Sequence, residues 1–109
     1  MNYLAELAKS GCYLGYDRLY DDCSAEYIER KVRMLTTLCE RGYGRQIVLS
    51  HDAQCYSEFV PRPALNPQPR FGYAFSHILP ALQKAGLSAD ETEAMAGGNA
   101  VRELLCQSA

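Results

Sequence analysis

No stretch of this chain comes near the roughly 20 consecutive apolar residues that a membrane-spanning helix needs. The opening Met1-Asn2-Tyr3-Leu4-Ala5-Glu6 also lacks the charged-then-apolar order of a secretory signal. A cytoplasmic protein with no membrane partner is therefore expected. Basic excess is missing too: 11 Lys and Arg stand against 13 Asp and Glu, a net charge of -2, which gives nucleic acid no electrostatic footprint. Cysteine pairing is equally absent. Cys12, Cys23, Cys39, Cys55 and Cys106 are odd in number and never form Cys-x-x-Cys, so the sequence indicates neither a disulfide framework nor a zinc knuckle. Reduced thiols packed as small hydrophobes are the expectation. What remains is an ordinary soluble composition, 48% hydrophobic and 22% charged, in 109 residues that leave room for one domain.

Within that domain the chain is organised around Arg45 to Asp52, Arg-Gln-Ile-Val-Leu-Ser-His-Asp. Three consecutive aliphatic residues between polar ones read as a strand buried on both faces, as in a parallel sheet. Alternation puts Val48, Ser50 and Asp52 on one face and Ile47, Leu49 and His51 on the other. A carboxylate at the carboxyl end of such a strand stands where sheets and barrels of the α/β class bind ligands, which makes Asp52 the first functional candidate. A second run, Cys12 to Asp17, also finishes on an aspartate and predicts a second strand. Gly15 would share a face with Tyr13 and Asp17, where a missing side chain relieves crowding inside a closed barrel.

Helical patterns fill the rest. Leu4, Leu7 and Ala8 predict a short helix over 2–9 ending at Ser10-Gly11. Ser24 offers an N-cap, and Ile28, Val32, Leu35, Leu38 and Cys39 form an apolar stripe on a helix that Gly42 ends; Glu29, Arg30, Lys31, Arg33 and Glu40 cover its other side. Strand, helix, strand in this order joins parallel strands through a right-handed crossover. Residues 53–72, with Pro61, Pro63, Pro67 and Pro69, predict a long loop, equally compatible with an active-site lid and with disorder. Phe75, Ile78, Leu79 and Leu82 restore the helical period, with Pro80 marking a first turn or a kink and Gly86 the end. Ser88 to Glu91 is a capping box for a helix to about Ala96. Gly97-Gly98 is expected to break it, and Asn99 to cap a last helix holding Val101, Leu104 and Leu105.

Four segments then carry a resemblance: Gly-Cys-Tyr-Leu-Gly-Tyr-Asp-Arg at 11–18, Gly-Tyr-Gly-Arg-Gln-Ile-Val-Leu-Ser-His-Asp at 42–52, His-Ile-Leu-Pro-Ala-Leu-Gln-Lys-Ala-Gly-Leu-Ser at 77–88, and Gly-Asn-Ala-Val-Arg-Glu-Leu-Leu at 98–105. Together they resemble the C-terminal quarter to third of the phosphotriesterase family, metal-dependent hydrolases of the amidohydrolase superfamily. The resemblance implies an α/β fold: two βα units, the seventh and eighth, of a TIM (β/α)8 barrel plus C-terminal helices. Residues 1–109 would be a single partial domain of an incomplete barrel. It also implies a divalent metal, zinc and binuclear in the complete barrel, and small-molecule ester, lactone or phosphotriester substrates. Asp52 matches the family's strand-end aspartate, a metal ligand that also handles the proton of the attacking hydroxide. Asp17 matches the aspartate lining the substrate pocket, with Arg18 beside it at the mouth.

The departures are informative. The family's metal centre also takes a His-x-His pair, a bridging carboxylated lysine and two further histidines from earlier strands, whereas only His51 and His77 occur here. The family's Glu-Asn-Pro before its final helix appears as Gly98-Asn99-Ala100. A fragment inactive by itself is expected, completed by a missing N-terminal portion. The competing reading is a non-enzymatic α/β module that self-associates as a homo-oligomer. At residue level, an aspartate ending a strand can instead cap the following turn, and His51, on the face opposite Asp52, is expected to pack rather than ligate.

Overall fold

In the computed structural model, residues 2–19, 25–51, 58–59 and 72–105 are described. Helix α1 (Asn2–Lys9) leads into strand β1 (Leu14–Tyr16), helix α2 (Ala25–Glu40), a 3-10 turn (Gly44–Gln46) and strand β2 (Ile47–Leu49). A π turn (Ala74–Ile78) then runs into helix α3 (Leu79–Lys84). Helix α4 (Ala89–Glu93) is continued by a second π turn (Ala94–Gly98) and helix α5 (Asn99–Leu104). No described helix is long and apolar enough to cross a membrane.

The two strands pair in parallel, with Leu14 opposite Ile47, Gly15 opposite Val48 and Tyr16 opposite Leu49. This is the pairing that two apolar runs separated by one amphipathic helix predict. Both strands are shorter than their sequence patterns. At the amino end, Gln46 takes over from the ladder: its Nε2 donates to the carbonyls of Ala8 and Cys12, both at 2.8 Å. At the carboxyl end, Arg18 turns into the left-handed region and breaks the extended geometry.

One face of the sheet carries the core. Leu14 and Ile47 pack with Leu35 and Leu38 of α2, Ile78 and Leu82 of the third helical segment, and Met95. Ile28, Val32 and Cys39 complete the α2 stripe from half-buried positions, as their spacing requires. On the other face Gly15 and Ser50 are exposed and Val48 is half-buried, and a Cβ added at Gly15 would meet nothing within 4 Å among the described atoms. Gly42 and Gly86 follow helix ends at φ 88° and 112°, conformations that disfavour a side chain.

Three expectations are corrected. Gly97-Gly98 does not break the helix; the Asn99 amide reaches the Ala94 carbonyl five residues back, and the chain absorbs both glycines in a π turn. Asn99 is therefore no cap but a fully buried residue, its Nδ2 donating to Gly44 O at 2.8 Å and Ile47 O at 2.6 Å. Arg102 donates to its Oδ1 from the next turn. The apolar Val101, Leu104 and Leu105 consequently face outward and are 51%, 82% and 61% exposed. A π turn also precedes Pro80, where the proline ring would crowd a regular α turn, and it leaves Phe75 outside while Ala74 takes the buried place. The expected N-cap Ser24 and nearly all of the expected 53–72 loop lie outside the described residues.

Candidate functional site

Parallel pairing brings the carboxyl ends of β1 and β2 together, and this end of the sheet is where the candidates converge. Ser50 N donates to Tyr16 O at 3.0 Å, and Leu19 N returns to Ser50 O at 3.4 Å. Between these two bonds the chain loops outward at Asp17 and Arg18. Both side chains are exposed, and Arg18 holds φ 57°. Positive φ is unusual for a side chain other than Gly, Asn or Asp and persists where neighbours hold it. Leu19, fully buried, anchors the far side of the loop.

A second hold comes from α2. Lys31 Nζ donates to the Asp17 carbonyl at 3.0 Å and stands over the rings of Tyr16, 5.0 Å from its centre, and Tyr27, 4.6 Å away. Tyr16 lies along the same helix, its hydroxyl 3.4 Å from the sulfur of Met34. Burial pushes the Tyr16 phenol above its ordinary pKa, with Tyr27 adding to the shift. Sequence pattern assigned Lys31 to a solvated helix face. Its helical spacing four residues after Tyr27 is the one signal that foretold half of the clamp.

On β2, His51 is half-buried, with its ring 6.1 Å from that of Phe75 and tilted by 37°. Its Nε2 is closed off from solvent and has no hydrogen-bond partner among the described residues. The ring borders a cavity of about 220 Å³ that Leu49, Ser50, Ala74 and Phe75 also line. Asp52 follows immediately in sequence and lies outside the described residues, so Asp17, Arg18 and His51 are the candidates that the structure brings to this end. His77 sits apart on the first π turn, stacked on Tyr73 at 4.4 Å and bonded through Nδ1 to Ser76 Oγ at 2.6 Å. A concavity of about 820 Å³ between α2 and α3 is lined by Ile28, Val32 and Ala81, on the helices rather than at the strand ends.

Cys39 and Cys12 are free thiols. Burial, aided by Glu91 and Glu40, pushes the Cys39 pKa up to about 11, and its Sγ rests 4.0 Å from the Met95 sulfur. That is the chemistry of a packed, unreactive thiol. Among the described residues no group of three or more His, Cys, Asp or Glu is placed to hold a metal ion. A catalytic zinc takes about three protein ligands.

The model of the phosphotriesterase family matches residues 1–104. The phosphotriesterase homology proteins of Mycobacterium tuberculosis strains CDC 1551 / Oshkosh and ATCC 25618 / H37Rv are each 34% identical to the chain over 98 residues, which is 87% of this chain and 30% of the relative. The solved structure of the phosphotriesterase from Mycobacterium tuberculosis superposes with a TM-score of 0.79 at 31% identity, covering 94% of this chain and 32% of that one. The chain thus spans about a third of the length of the relatives it matches.

Proposed function

Because the chain belongs to the phosphotriesterase family, we propose that it is the C-terminal part of a metal-dependent hydrolase acting on lactone, phosphotriester or related ester bonds, and that it is inactive alone. Its two βα units correspond in this reading to the seventh and eighth of a (β/α)8 barrel. The observation that carries the proposal is the parallel register that sets Tyr16 opposite Leu49, so that the chain after each strand leaves from the same end of the sheet. The exposure of Gly15 and Ser50, on the face away from the core, supports it, since that is the face a closed barrel turns inward.

Within the complete barrel Asp52 is the metal ligand and the acceptor of the nucleophile's proton, and Asp17 and Arg18 line the substrate pocket. The bound divalent metal, zinc in this reading, supplies Lewis acidity and an activated water. The remaining ligands come from strands that this chain does not contain. The chain's own contribution in this reading is the Asp52 carboxylate and a pocket wall held by Leu19 and Ser50.

The test is a fusion of the chain to the N-terminal two thirds of a family relative, assayed with added zinc on a lactone and a phosphotriester. Metal-dependent hydrolysis should appear in the fusion, be absent from the chain alone, and fall by about two or more orders of magnitude with Asp52→Asn. His51→Asn should cost far less. A fusion that keeps its turnover with Asn at 52 refutes the assignment.

A further inference from the structure

The clamp formed by Lys31 has no place in the reading above. One ammonium group makes three contacts: those to the Asp17 carbonyl and the Tyr16 ring draw helix α2 onto the end of β1, and the one to the Tyr27 ring, within α2 itself, holds the ammonium in place. An unheld lysine on a helix surface extends into water, because ordering its long stem costs rotamer entropy. Here the stem lies across the sheet end and the charge terminates on the backbone that carries Asp17 and Arg18.

We infer that Lys31 is a positioning residue for substrate recognition: it fixes the left-handed turn at Arg18 and so sets where Asp17 and Arg18 meet the substrate, without taking part in bond cleavage. This inference rests on the hydrolase reading. The physical argument is directional. Backbone bonds pin the loop at Tyr16 and Leu19, and the orientation of the peptide between Asp17 and Arg18 depends on what its carbonyl meets. It meets Lys31, whose hold on the carbonyl stabilises a φ of 57° that an arginine otherwise avoids. The tyrosine rings keep the ammonium over the strand end rather than in solvent.

Two variants separate charge from bulk. Lys31→Met keeps the stem and removes the donor; Lys31→Arg keeps a cation that stacks on aromatic rings and donates to a carbonyl. In the fusion enzyme, Lys31→Met should raise KM roughly five- to tenfold, the scale of one partly exposed hydrogen bond to a charged group. kcat should stay within about twofold, the signature of lost binding rather than lost chemistry, and Lys31→Arg should restore most of the effect. In the chain itself, NMR should show the Arg18 HN–Hα coupling moving away from its left-handed value in Lys31→Met and returning towards it in Lys31→Arg. An unchanged KM, an equal fall in kcat, or an Arg18 coupling indifferent to Lys31→Met overturns the inference. A fusion with no hydrolysis counts against the hydrolase reading instead, and the Arg18 coupling then decides the clamp alone.

Discussion

Replacing Asn99 by alanine should do more damage than any exposed substitution in the chain. Asn99 is fully buried, and its Nδ2 is shared between the carbonyls of Gly44 and Ile47, the residues that open the 3-10 turn and strand β2. Alanine removes both donors and leaves two carbonyls facing a small void. A buried polar group left unsatisfied costs about 1–3 kcal/mol, so two give a loss of about 2–5 kcal/mol once some relaxation is allowed. Small domains have stabilities at the low end of roughly 5–15 kcal/mol, so most of the margin goes. Urea titration followed by far-UV circular dichroism measures this directly, with the m-value as a check that the unfolded state is unchanged. Arg102→Met is the control. Its guanidinium donates to Asn99 Oδ1 and, at 3.4 Å, to Arg45 O at the surface, and its removal should cost about 1–2 kcal/mol, less than Asn99→Ala because one buried acceptor rather than two loses its donor. A loss below about 1 kcal/mol for Asn99→Ala would mean that water replaces the amide and that the link does not hold β2 to α5.

Gly15→Arg should leave the unfolding free energy of the chain within about 0.5 kcal/mol, since its side chain enters space open among the described atoms, yet abolish association with a separately produced N-terminal barrel portion in size-exclusion chromatography. Ile47→Ala empties a fully buried position and should destabilise by about 2–5 kcal/mol in the same urea assay. Cys39, with its pKa raised to about 11, should resist iodoacetamide at pH 8 while the exposed Cys12 reacts. Its raised pKa means that the unfolded chain loses this proton first as pH rises. Its contribution to stability is complete below pH 9 and declines between pH 9 and about 11, which a pH series of urea melts against Cys39→Ala will show.

The strands, their parallel pairing and the helix ends at Gly42 and Gly86 were legible because each rests on a local rule: a short apolar run, an amphipathic stripe, a residue without a side chain. The capping box at Ser88 and Glu91 appeared in the structure as the sequence spelled it. Legibility ended where the partner is remote in sequence. Asn99 reads as a cap until Gly44 and Ile47 are brought beside it, more than fifty positions away along the chain. Lys31 reads as a solvated charge until the end of β1 arrives. Val101, Leu104 and Leu105 carry the spacing of a core face, but spacing does not say whether anything lies opposite. Of the candidate site, the common exit of the two strands was readable, whereas the outward loop at Asp17 and Arg18 depends on a left-handed arginine that no propensity favours.

The turn at Ala94–Gly98 holds five residues where an α turn holds four, for nearly the same advance along the axis. The helix therefore contains one residue that its flanks do not need. Deleting Gly97 should heal the segment into plain α-helix while Met95 and Asn99 stay turned towards the sheet. The same deletion inside α2 would swing every later residue by about 100° and unseat Leu35 or Leu38. Tolerance to changes in chain length is thus unevenly distributed along this protein, and within the helices it is concentrated where the backbone has already made room for an insertion.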